Sequence, residues 1–331
     1  MIRSHMRSTL LVTFPLDTPA RAIIASVLDN AADISCLDEL APAERPAAIQ
    51  NAGAILARNL KALSRDELAM LGTARLMQFM TAGVDFIPLG TLPPNLPVAT
   101  NGGAYAEAMA EHALAMALAA AKRIVRAHGE VARGEFHQHR PNRMLAGGIC
   151  AILGFGGIGL ATAQLMRAIG MRVHAINRTL RAHELLDWSG TPDRLDAMLI
   201  ELDVLVIAVP LTKATTGLIG ARELNLMKPD AIVINLARGE IIDEAALFAH
   251  LQTHPDFTAC IDAWWVEPVR HGAFRMDHPF TDLPNVIASP HNSASVPESR
   301  ILGLQRAAAN CRRALLGETP LHLVRPEDRL F

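Results

Sequence analysis

The 331-residue sequence predicts an α/β protein built from two doubly wound, parallel-sheet domains. Three observations carry that expectation. Apolar β-like runs alternate with stretches of helical periodicity along most of the chain, the pattern of βαβ units whose helices cover both faces of a parallel sheet. The length exceeds what one hydrophobic core usually serves. A glycine cluster, GFGGIG at 154–159, sits between one apolar run and a helical one, as in a strand–turn–helix unit.

In the first hundred residues STLLVTF (8–14), GAILA (53–57) and RLMQFM (75–80) read as strands. TPARAIIASVLDN (18–30) reads as a helix with a Thr-Pro start, and SRDE from Ser64 matches a capping box. PPNLPVATN (93–101) reads as a connection leading out of this unit. A single long Ala-rich helix is expected over 104–127. The second series follows with strands at 148–154, 171–176, 202–210, 230–237 and 257–263, and a last helix over 295–316.

Composition excludes several classes. Half the residues are apolar and 19% are charged, which is ordinary for a soluble globular chain. A net charge of −2 gives no electrostatic case for nucleic acid or an anionic membrane as partner. The most apolar stretch, from Ala106, is interrupted by Glu107, Glu111 and His112 and reads as a buried helix, not a membrane span. The opening MIRSHM has no apolar run and is not a secretory signal; Ser4-His5-Met6 resembles a cloning remnant and is left out of fold reasoning. Four dispersed cysteines, Cys36, Cys150, Cys260 and Cys311, read as reduced thiols of a cytoplasmic protein. His137 and His139 have a metal-like spacing without a third ligand near them in sequence, and read as a solvated loop; no metal is expected. Lys122, Arg123 and Arg126 are expected to complement the end of the long helix.

The strand–glycine–helix context points to a dinucleotide. Gly154 permits a tight turn, Gly156 lets backbone approach a pyrophosphate, and Gly159 allows close helix–strand packing. With Phe155, Gly157 and Ile158 they open a helix whose free N–H groups suit phosphate. An acidic residue normally follows the next strand, where it accepts from the ribose 2′-hydroxyl and selects NAD. Here the strand runs into Asn177, Arg178 and Thr179, with Arg181 beyond. The missing acid and the added guanidinium lean towards NADP, with NAD possible.

Three later segments end strands of the second series: NLARGEIID (235–243), DAWWVEP (262–268) and SPHNSA (289–294). Residues at the carboxyl ends of strands face the ligand crevice of such sheets. Arg238 can hold a carboxylate bidentately, His291 can donate or accept a proton near neutral pH, and Glu267 can orient the imidazole.

These segments, with the TAGVD loop, NGGAYAEAMAEH and VPLTKATTGLIG, resemble the D-2-hydroxyacid dehydrogenase family along nearly the whole chain. The resemblance implies Arg238 as substrate-binding residue and Glu267–His291 as the proton-transfer pair. It implies that backbone N–H groups of Ala82, Gly83 and Val84 hold the substrate carboxylate. It places Val209, Pro210, Thr215, Ala237, Arg238, Asp262 and His291 beside the cofactor, with Asp262 near the nicotinamide carboxamide. It also implies a discontinuous architecture. Residues 1–100 and 292–331 would form a flavodoxin-like substrate domain, interrupted by a Rossmann dinucleotide domain over 101–291, with substrate in the cleft between them. A homodimer through the dinucleotide domain is the family expectation.

The expected activity is an NADP-preferring reduction of a small 2-keto acid, with glyoxylate and hydroxypyruvate as candidates. The alternatives are a formate- or phosphite-oxidising relative and a dinucleotide-sensing, corepressor-like binding protein. A 3-phosphoglycerate dehydrogenase is disfavoured because no regulatory domain follows residue 331. Two features depart from the family pattern: the long 266–280 segment and the adjacent Trp264 and Trp265, of which at least one is expected to pack the core.

Overall fold

The computed structural model describes residues 8–180 and 182–330, so Arg181 and the opening MIRSHM lie outside the described residues. The chain divides into two compact units, one running to Tyr105 and resuming at Val296, the other Ala106–Ser295.

In the first unit β1 (Ser8–Val12), β2 (Ala32–Cys36), β3 (Ala52–Ala57), β4 (Met77–Phe79) and β5 (Val98–Ala99) form one parallel sheet. Its order is β2-β1-β3-β4-β5, a doubly wound arrangement whose crevice lies at the carboxyl ends of β1 and β3. Successive residues of a strand face opposite sides of its sheet. Leu10 and Val12 accordingly join one core with Ile24 and the helix Pro297–Leu315. Leu11 joins the other with Ile49 and Leu68. Asp17, one residue before the expected start, caps the helix Thr18–Leu28 by accepting from the Ala20 N–H at 2.8 Å. At Ser64 both arms of the expected capping box are made with Glu67.

In the second unit β6 (Ile149–Leu153), β7 (Arg172–Ile176), β8 (Trp188–Gly190), β9 (Val204–Ile207), β10 (Ile232–Asn235), β11 (Thr258–Ile261) and β12 (Val286–Ala288) make a seven-stranded sheet. The order is β12-β11-β10-β9-β6-β7-β8, parallel throughout. The chain reverses its winding at β6, which lies between β7 and β9. Ligands bind doubly wound sheets at this switch point, and GFGGIG begins there.

Four strands are not anticipated by the sequence reading: β2, β5, β8 and β12. They are the four edges of the two sheets. An edge strand has one neighbour, so it tolerates polar residues, as in ADISC and WSG. The expected single helix over 104–127 is two, Ala106–Ala121 and Ile124–Ala132. Arg123 breaks it by taking a left-handed backbone (φ 52°) with no glycine or proline to announce the break. The charges expected to serve the helix end are used otherwise: Lys122 donates to the Arg143 carbonyl, Arg123 pairs with Asp256 and Arg126 with Glu130.

All four cysteines are buried and free. Burial raises their thiols, that of Cys150 to about 12. No helix among the described residues is long and apolar enough to cross a membrane.

Candidate active site

The glycine loop is shaped by contacts that no side chain would survive. Gly154 leaves β6 with φ 99°, a conformation that favours glycine. A Cβ on Gly159 would lie 2.1 Å from the Gly154 carbonyl oxygen, so the helix Gly157–Ala168 reaches its strand only through glycine. Gly156 is different: nothing lies within 4 Å of where its Cβ would be. It is exposed and Gly157 and Ile158 are half-buried, while Phe155 is buried with its ring edge-on to His183. The open side of the loop is the side on which a pyrophosphate would meet the helix N-terminus. The residues present therefore fit a dinucleotide.

At the carboxyl end of β7 the Asn177 N–H donates to the Gly190 carbonyl at 3.1 Å, and Arg178 and Thr179 follow, exposed. Val209 and Pro210 follow β9, half-buried and exposed respectively. The Thr215 hydroxyl donates to the Pro210 carbonyl at 2.7 Å, and its oxygen accepts from the Thr212 N–H. That side chain closes the 210–216 loop.

Arg238, Glu267 and His291 are brought together by the carboxyl ends of β10, β11 and β12. His291 Nδ1 lies 2.8 Å from both carboxylate oxygens of Glu267, which is 6% exposed. Glu267 also accepts from the Trp264 N–H at 2.7 Å. Burial alone would raise this carboxyl. The bonds from His291 and Trp264, with the charges of His291 and Arg238, outweigh it and hold Glu267 below the usual carboxylate value. Asn235, 1% exposed, braces the arginine turn: its amide donates to the Arg238 carbonyl and accepts from the Ala237 N–H. Gly239 lets this turn touch the Trp264–Trp265 backbone, where a Cβ would stand 2.4 Å from main-chain atoms.

Both tryptophans are structural. Trp264 is buried, with its indole N–H on the Ser289 carbonyl at 2.9 Å. Trp265 donates to the Ile242 carbonyl and stacks on Phe280 at 5.4 Å. The 266–280 segment folds over them: Val266 bridges Arg275, and Phe274 meets the Trp264 ring edge-on.

Asp262, expected beside the cofactor, belongs to a second constellation whose other members, His112 and Ser289, were not singled out from the sequence. Asp262 is fully buried at the end of β11 and accepts from the Ser289 hydroxyl at 2.5 Å and from the Asn292 and Ser293 N–H groups. His112, from the helix Ala106–Ala121, reaches the same hydroxyl with Nε2 at 3.1 Å. The only sequence signal was that His112 closes NGGAYAEAMAEH.

In the first unit Ala82, Gly83 and Val84 form the half-buried loop after β4. Phe14, Leu16, Arg58, Met80, Tyr105 and Thr81, which precedes Ala82 in the chain, line a cavity of about 320 Å³. Elsewhere, His137 comes near Glu130 and Glu135, but Glu130 is bound by Arg126 and Arg140 and Glu135 by Arg133. His139 is not in that group.

The model of the D-isomer specific 2-hydroxyacid dehydrogenase NAD-binding domain matches residues 114–293, more than half of the chain. The chain belongs to the D-isomer specific 2-hydroxyacid dehydrogenase family. It is 35% identical over 277 residues to glyoxylate reductase of Aeropyrum pernix, covering 79% of each protein. It is 27% identical over 329 residues to D-3-phosphoglycerate dehydrogenase of Methanocaldococcus jannaschii, of which it spans 61%. Among solved structures, a family member from Xanthobacter autotrophicus Py2, in complex with NADPH and MES, superposes with a TM-score of 0.79 at 26% identity. That match covers 98% of this chain and 99% of the other. Membership makes the protein an oxidoreductase of 2-hydroxy acids with a nicotinamide dinucleotide as cofactor, on a fold of two parallel-sheet α/β units.

Proposed function

We propose that this family member reduces a small 2-keto acid, with glyoxylate and hydroxypyruvate as the first candidates, and prefers NADPH. The observation that carries the reading is the buried Glu267 carboxylate held 2.8 Å from His291 Nδ1. With Nδ1 committed to Glu267, Nε2 is the nitrogen left to serve a substrate. The reduced nicotinamide, when bound, supplies the hydride. His291 gives the Nε2 proton to the carbonyl oxygen as the substrate is reduced, and takes it back in the oxidation. Glu267 keeps the imidazole in one orientation. Arg238 holds the substrate's carboxylate and steadies negative charge growing on the carbonyl oxygen. Ala82, Gly83 and Val84 are the N–H donors this reading assigns to that carboxylate, which makes the first unit the substrate domain.

The cofactor side of the reading rests on the open face of Gly156 and on the absence of an acid at Asn177–Thr179. Val209, Pro210, Ala237 and Asp262 border the nicotinamide half, Asp262 at the carboxamide. Arg178 is assigned to the 2′-phosphate. The test is a panel of 2-keto acids assayed with NADPH and with NADH. It includes acids larger than glyoxylate, because the cavity lined by Met80 and Thr81, which precede Ala82 in the chain, has room for a side chain. NADPH-dependent turnover is expected, and Arg178→Ala is expected to weaken NADPH by about tenfold, the worth of one charged hydrogen bond, while sparing NADH. Equal losses for both cofactors would remove Arg178 from the phosphate. Tight cofactor binding without turnover of any acid would point instead to a sensor.

The reading includes a homodimer. Ile124, Val131, Phe136 and Met144 are more than half exposed on and after the second helix of the dinucleotide unit, an apolar surface of the kind subunits cover. Sedimentation is expected to give twice the chain mass; a monomer at assay concentration would remove this part. The buried, protonated thiols suit a reducing, cytoplasmic compartment.

A further inference from the structure

His291, on which the proposed reaction turns, stands in a left-handed backbone conformation (φ 51°). Such a conformation is unfavourable for a residue other than glycine and persists only where the surroundings impose it. The chain on both sides of it is clamped. Before it, the Ser289 carbonyl accepts from the Trp264 indole and the Ser289 hydroxyl donates to Asp262. After it, the Asn292 and Ser293 N–H groups donate to the same Asp262 carboxylate. Ser289 is therefore the junction between Asp262 and the segment that carries His291.

A serine hydroxyl has one hydrogen to give. Asp262 accepts from the Asn292 and Ser293 N–H groups as well, so the hydroxyl hydrogen, 2.5 Å from Oδ1, is committed to that side chain. The Ser289 oxygen can then only accept from its other neighbour, His112 Nε2, at 3.1 Å. The hydrogen of the His112 ring must sit on Nε2. The three groups form a one-way chain, His112 Nε2–H to Ser289 Oγ–H to Asp262 Oδ1, in which each donor fixes the next.

We infer that His112 is a positioning residue: through Ser289 it holds Asp262 in the orientation that receives the nicotinamide end of the cofactor. His112 itself touches neither cofactor nor substrate in this account. Its imidazole is about a quarter exposed, whereas Asp262 is fully buried, so the chain runs from the edge of the unit to its interior. The inference rests on the dinucleotide reading of the site, with Asp262 at the carboxamide.

The test compares two probes, NADPH and the 2′-phosphorylated ADP-ribose that lacks its nicotinamide, by fluorescence or calorimetric titration. His112→Leu removes the donor and His112→Gln keeps an N–H at similar reach. His112→Leu is expected to weaken NADPH about tenfold and leave the ADP-ribose derivative unchanged, with His112→Gln restoring most of the loss. In a Ser289→Ala background, which leaves only the direct 3.8 Å approach of His112 Nε2 to Asp262 Oδ1, His112→Leu is expected to add much less than it costs the wild type. Three results would each overturn the inference. They are equal weakening of both probes, no weakening of NADPH, and a His112→Gln protein no better than His112→Leu. Both binding titrations are independent of turnover, so a wild-type protein that binds NADPH but reduces no keto acid would end the proposed reaction and leave this test standing.

Discussion

Replacing His291 by Ala lowers kcat for the preferred keto acid by about 10²–10⁴, the usual contribution of a positioned general acid, while NADPH still binds. The expectation follows from the division of labour at the site. His291 Nδ1 lies 2.8 Å from Glu267, and in the proposed reaction Nε2 serves the substrate while the glycine loop, a separate site, takes the phosphates. The left-handed backbone at His291 complicates the Ala variant, because Ala resists that conformation by about 1–2 kcal/mol. His291→Asn removes the confusion, since Asn is among the side chains that tolerate it best. If both variants keep their melting temperature and lose turnover together, the loss belongs to the imidazole. Wild-type kcat in His291→Asn would remove the residue from the proton path. Glu267→Gln, which keeps size but not charge, is expected to fall between the wild type and the His291 variants.

Gly239→Ala is expected to damage the enzyme nearly as much without touching a reacting group. A Cβ there would stand 2.4 Å from the Trp264 carbonyl carbon and the Trp265 nitrogen, which are main-chain atoms and cannot rotate away. Either the arginine turn or the tryptophan segment must move. Arg238 precedes the glycine directly, and Glu267 hangs from the Trp264 N–H at 2.7 Å. A displacement of about 1 Å between such groups commonly costs on the order of 10² in rate. We expect kcat/KM to drop by about that factor, with a melting temperature lowered by the overpacking. Unchanged kinetics would mean that the turn can retreat without carrying Arg238 with it.

The parts of this site that were legible in the sequence are those whose chemistry is local. GFGGIG announces itself because a tight turn, a close approach and a helix start fall within six residues. Arg238 and Glu267 were legible because their segments follow apolar strands, and His291 through the SPHNSA segment itself, since the short strand before it was not read. The His112–Ser289 contact was not, since it joins segments 177 residues apart and neither residue is unusual where it stands. The same holds for Asn235 and Gly239, whose importance lies in what packs on them. Among the strands, every interior one was visible as an apolar run, and every edge strand was missed. An edge needs only half the burial, and β5, two residues behind a proline-rich stretch, carries almost no pattern. The Arg123 break was hidden because the surrounding alanines favour helix without interruption.

The interrupted first unit has a consequence for synthesis. Its sheet is made by residues before Tyr105, but one of its two cores is completed by Leu304, Ala307, Ala308 and Cys311 of the last long helix. Between them lies the whole of Ala106–Ser295, which at ~5–20 residues per second takes a ribosome about 10–40 s to produce. The unit that starts second is thus the first able to finish, and the earlier strands wait with an apolar face uncovered. The nascent chain must be shielded through that interval.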